Sequence, residues 1–144
     1  MASAMRTKPW KAAMMAQARN QEAPDVAGYE RQVRQANHGV SELKLLPGNV
    51  RYMAYDGFMW IGPESAAALD NAMRFLAGGD AVIIDIRRNG GGSPEAVRYL
   101  ISHFMEPEKH IVTFHMGSEP EDRWSTLKDV PAGVTAVGVP ARPR

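Results

Sequence analysis

Residues Val82–Val97 read VIIDIRRNGGGSPEAV. An apolar run stops at an acid, two arginines and an asparagine. Three consecutive glycines follow, then a serine and a proline suited to opening a helix. The run Asp80–Ile86, DAVIIDI, has the continuous apolar character of a strand covered on both faces. Ser93 is a candidate N-cap, Pro94 suits the first helical position, and Glu95 in the first turn suits the helix dipole. This stretch is therefore a strand–glycine–helix junction.

The flanking sequence extends the pattern. Upstream, Pro63–Gly79 reads as a helix with Leu69, Met73 and Leu76 on one face, ended by Gly78 and Gly79. Before it, Ser41–Leu46 and Val50–Ile61 read as two strands joined by Pro47-Gly48-Asn49, with a break in the second near Gly57. Downstream, Ser93–Met105 is expected to bury Val97, Leu100, Ile101 and Phe104. His110–Met116 follows as a strand, and Arg123–Val130 as a short one. The order strand, strand, helix, strand, helix, strand predicts an α/β fold with right-handed crossovers. Asp25–Asn37 reads as a surface helix with a thin stripe of Val26, Tyr29 and Val33, capped by Asp25 and stopped at Gly39. A further short helix is expected between Pro9 and Asn20. Residues 1–40 thus form an N-terminal helical segment, and residues 41–144 the α/β unit.

Composition bounds the function. The chain has 144 residues, enough for about one domain. It is 44% hydrophobic, too apolar for a disordered chain. A net charge of +1, with Lys and Arg dispersed, gives no footprint for nucleic acid. There is no cysteine, so disulfides, thiolate metal sites and a cysteine nucleophile are excluded. No apolar run approaches the roughly 18–20 residues of a membrane span. The start MASAMRTKPWKAAMMAQA imitates a signal peptide, but Lys11 interrupts an apolar core that is too short, and no compartment is assigned. His110 and His115 flank a strand on opposite faces, so no metal pair is expected there, and no cofactor is expected at all.

Glycines between a strand and a helix admit three readings. They permit a tight turn through positive φ. They can present amides to a phosphate at a helix N-terminus. They can also present an N–H to the oxygen of a tetrahedral intermediate, as an oxyanion hole does. Asn-Gly-Gly-Gly-Ser-Pro fits neither the Gly-x-Gly-x-x-Gly dinucleotide fingerprint nor a phosphate loop with Gly-Lys-Ser/Thr.

DIRRNGGG resembles the Asp-x-Arg-x-Asn-x-Gly-Gly signature of the tail-specific (C-terminal-processing) serine peptidase family. Asp85, Arg87, Asn89, Gly91 and Gly92 match its fixed positions. LLPGNVRYMAYDGF and GGGSPEAVRYLISHFME also resemble that family, closest to its bacterial interphotoreceptor retinoid-binding-protein-like branch, over about Gln35–Trp124. The resemblance implies a crotonase/ClpP-like ββα catalytic domain and a peptide or protein substrate. It further implies that a backbone N–H of Gly91, or next of Gly92, forms half of an oxyanion hole. Asp85, Arg87, Asn89, Gly90 and Ser93 then support the loop. Arg87 with Asp85 reads equally well as an ordinary solvated pair, and the Ser93 hydroxyl as an N-cap.

In that family the nucleophilic serine and the general base follow the next strands. The segment VTAVGVPARPR offers no match to the nucleophile motif, the last serine is Ser125 and the last lysine Lys128. The expectation is a domain part that carries the glycine loop without the nucleophile, inactive alone. The alternative is a non-catalytic module that binds a peptide or a lipid- or retinoid-like ligand. An interrupted sheet would also favour self-association through its bare edge. His103 is expected to be packed or at the surface rather than a base, and His38 to belong to a helix end.

Overall fold

A computed structural model of the chain describes residues 24–115, 117 and 120–130. The expected helix between Pro9 and Asn20, Met116, and the small-residue stretch after Val130 lie outside the described residues.

Helix α1, Val26–Gln35, starts where the Asp25 side chain accepts from Gly28 N at 2.8 Å. Its apolar stripe is as thin as expected: Val33 is buried, whereas Val26 and Tyr29 are exposed. A 3-10 turn at Asn37–Gly39 follows, with positive φ at all three residues. Arg34 pairs with Glu64 at 2.7 Å, and His38 Nδ1 lies 2.8 Å from Ser65 Oγ, tying this segment to the next helix.

Strands β1 (Val40–Leu46) and β2 (Val50–Tyr55) form the expected antiparallel hairpin, with a register shift between Val40 and Glu42. Strand β2 ends at Tyr55 rather than at Ile61. Helix α2, Pro63–Ala77, has proline in its first turn and buries Leu69, Met73 and Leu76 against the hairpin. Strand β3, Ala81–Asp85, then pairs parallel with β2 from Val50↔Ala81 to Ala54↔Asp85. The sheet order is β1-β2-β3.

Strand β3 differs from its expected double coverage. Val82 and Ile84 pack on the core, but Ile83 is 45% and Ile86 52% exposed. Ile83 and Ile86 lie outside the core cluster that Val82 and Ile84 join.

Helix α3, Pro94–Ser102, is shorter than Ser93–Met105 and packs on α2. Its buried face is Ala96 and Leu100, with Tyr99 alongside; Phe104 lies beyond the helix and is exposed. The periodic reading chose a neighbouring stripe because Val97 faces a surface groove instead of the core. Between α2 and α3 lies a polar seam. Tyr99 OH donates to Asp70 Oδ1 at 2.8 Å, and His103 Nε2 is 3.3 Å from the same oxygen. His103 is 2% exposed, so it is a packed residue, as expected.

Strand β4, His110–Phe114, does not extend the main sheet. It pairs antiparallel with β5, Asp122–Ser125, in a separate sheet. Thr126 fixes this arrangement. Its hydroxyl donates to Glu106 O at 2.6 Å and accepts from Lys109 N at 2.8 Å, and its N–H donates to Lys109 O at 2.8 Å. The chain is mixed α/β, with its core between α2 and the hairpin. No helix among the described residues is long and apolar enough to cross a membrane.

Leu69 is fully buried in this core. Leu69→Ala is expected to lower stability by about 2–5 kcal/mol through lost burial and a residual cavity. Equilibrium urea unfolding reads this directly; a loss below about 1 kcal/mol would contradict the packing described.

Candidate functional site

The loop after β3 is built by side chains that bond to main chain. Asp85, at the end of β3, accepts from Tyr52 OH (2.7 Å) and from Arg87 N (3.0 Å), Nε (2.9 Å) and Nη2 (2.7 Å). The Arg87 guanidinium first, then Tyr52 and the Arg87 amide, hold the Asp85 carboxyl well below the usual carboxylate range. The Arg87 side chain is 86% exposed, whereas the carboxylate is 13% exposed and turns the backbone.

Asn89 spans the loop. Its Nδ2 donates to Tyr55 O at 3.0 Å, and its Oδ1 accepts from Gly91 N at 2.8 Å. Phe58 grips the glycines from the other side. Phe58 N donates to Gly91 O at 3.0 Å, and Ser93 N donates to Phe58 O at 2.7 Å. This is an isolated parallel bridge between Phe58 and Gly92.

The three glycines are not equivalent. Gly92 has φ +140°, and a Cβ there would lie 2.3 Å from Phe58 O. Gly91 has φ +100° with open space around it, and Gly90 has neither constraint. The amides differ as well. The Gly91 N–H is occupied by Asn89, whereas the Gly92 N–H has no acceptor among the described residues. Ser93 caps α3 by accepting from Glu95 N at 3.2 Å, and its hydroxyl contacts the Glu95 carboxylate.

Gly91 and Gly92 border a cavity of about 430 Å³. Phe58, Val97, Phe114 and Trp124 supply apolar wall, with the last two rings in edge contact at 5.7 Å. Arg98 contributes the one charged side chain among the described lining residues.

The peptidase family S41 model matches residues 49–137 of this chain. The chain belongs to peptidase family S41. The matched span contains the second hairpin strand, α2, β3, the glycine loop, α3 and both strands of the small sheet.

Within this family S41 chain, the described serines are Ser41, Ser65, Ser93, Ser102 and Ser125, and none of them lines the cavity. Ser102 Oγ donates to Arg98 O and accepts from Leu127 N. Ser65 meets a histidine, His38, but it is fully buried and also accepts from Ile61 N at 2.9 Å. Burial holds the His38 imidazole below its ordinary value. The pair secures a turn: Ser65 is sealed in, while His38 borders a second cavity of about 440 Å³ whose described lining residues are not those of the glycine-loop cavity.

Tyr52, Tyr55, Phe58, Arg98 and Trp124 also shape the site, and sequence reading did not single them out as site residues. Their roles depend on register and on tertiary contact. The break near Gly57 was the one local signal that the chain leaves the strand at this point.

Gly92→Ala is expected to cost about 1–3 kcal/mol through backbone strain, while Gly90→Ala stays within about 0.5 kcal/mol. Thermal or urea unfolding of both variants checks the contrast; equal effects would contradict the geometry. The depressed Asp85 pKa also carries a sign. Its contribution to stability is present above the unfolded value of about 3.9 and is lost as pH falls through the lower folded value. Asp85→Asn should therefore flatten the acid limb of a stability-versus-pH curve below about pH 4.

Proposed function

We propose that this chain is a serine peptidase module whose glycine loop supplies a main-chain donor to the oxyanion of peptide-bond hydrolysis, with Gly92 as the donor. The observation that carries this reading is the Gly92 amide. It borders an apolar cavity and has no acceptor among the described residues, and the residue packs so close to Phe58 O that a side chain would not fit. Gly91, the first candidate by position, has its N–H engaged by Asn89. Its carbonyl and its open φ serve the loop instead. A preorganised donor of this kind is worth about 3–4 kcal/mol in a transition state.

Asp85, Arg87 and Asn89 act as supports, and Ser93 as a helix cap. The attacking hydroxyl is not one of the described serines, and without it the donor accelerates nothing. A crotonase-like arrangement accords with the antiparallel hairpin followed by a parallel strand and a helix. A second reading, a binding module without catalysis, is favoured by the same cavity, because no described serine lines it.

A serine-directed fluorophosphonate is expected to leave the purified chain unlabelled. Specific labelling at Ser41, Ser65, Ser93, Ser102 or Ser125 would overturn the assignment. Amide NMR during titration with a short apolar peptide tests the donor. The Gly92 resonance should move and that of Gly91 should stay nearly fixed; an unmoved Gly92 would count against its role.

A further inference from the structure

The cavity has apolar side chains and one cation. Arg98 is half-buried, and its Nε donates to Ser125 O at 2.6 Å. Its guanidinium carbon sits 5.5 Å from the centre of the Trp124 ring. These two contacts fix the plane of the group and leave its Nη edge without an acceptor among the described residues. No carboxylate among the described residues lies within ion-pair distance. The nearest acid along β5 from Trp124, Asp122, is taken by the Trp124 indole N–H at 2.8 Å.

A half-buried guanidinium without a counter-ion, set in an apolar wall, is an uncompensated charge in a poorly solvated place. A carboxylate matches its free edge with two parallel N–H···O bonds. A phosphate dianion would call for a second cation, and Arg98 is alone in the described lining. The cavity volume of about 430 Å³ falls in the range of small-molecule sites.

We propose that this groove binds a small amphiphilic carboxylate, its apolar tail against Phe58, Val97, Ile111 and Phe114 and its head group on Arg98. The inference stands on the groove and its cation. It holds whether or not Gly92 ever meets a reaction oxygen.

The test is isothermal titration of the full chain with sodium decanoate below its micelle-forming concentration. Decanol and decyltrimethylammonium serve as head-group controls with the same tail. Decanoate should bind saturably, at least about tenfold more tightly than either control. Arg98→Gln should weaken decanoate by at least about tenfold and leave decanol unchanged, with Arg98→Lys in between. Equal affinity for the three head groups, no saturable decanoate binding, or decanoate binding untouched by Arg98→Gln would each overturn the proposal. So would binding of acetyl-Ala-Leu-Phe with a free C-terminus when decanoate does not bind, because the groove would then select a peptide. If circular dichroism shows that Arg98→Gln is unfolded, the head-group series on the unaltered chain decides.

Discussion

The site depends on one close approach of two backbones. Phe58 donates to Gly91 O and accepts from Ser93 N, so Gly92 lies flat against it with no room for a side chain. The loop is thereby laid along the continuation of β2. Met53, Ala54 and Tyr55 in that strand are at most 1% exposed, so the loop borrows the rigidity of the best-packed strand. Hydrogen bonds to Phe58 and through Asn89 tie the glycine loop to β2 and its continuation as well as to β3 and α3.

Much of this was legible in local sequence. The hairpin turn, the proline at the start of α2, the cap at Ser93 and the glycine loop each rest on short-range chemistry, and the structure has all of them. Backbone hydrogen bonds to Asp85 and Asn89 were also foreseeable, since short polar side chains beside glycines bond to nearby backbone. What failed was long-range. Continuous apolarity in DAVIIDI cannot say whether a second layer covers Ile83 and Ile86. Likewise, the strand at His110–Phe114 looked like one more crossover strand, but the Thr126 hydroxyl, sixteen positions after His110, binds the preceding loop and sends β4 to a different partner. Helical periodicity placed Val97 in the core because an apolar groove and a core make the same demand on a side chain.

Proximity of reactive side chains does not by itself mark a site. His38 and Ser65 approach to 2.8 Å, closer than many catalytic pairs, and His103 touches Asp70 beneath Tyr99. Both clusters are largely buried, and the bonds they make, His38 to Ser65, Tyr99 OH to Asp70 and His103 Nδ1 to Tyr99 O, serve polar groups that folding has taken out of water. The glycine loop carries no reactive side chain, yet the Gly92 N–H beside the cavity has no acceptor among the described residues. Among the described residues, an unspent hydrogen bond separates the two situations.

The Asn89 side chain has a consequence of its own. Its amide accepts through one end and donates through the other, as a peptide group does in a strand. It therefore stands in for a missing link of main chain, bridging Tyr55 to Gly91 where the polypeptide itself has turned away. A carboxylate of the same shape could fill only the accepting half. At this position chemistry asks for a miniature of the backbone, and asparagine is the side chain of that size that provides one.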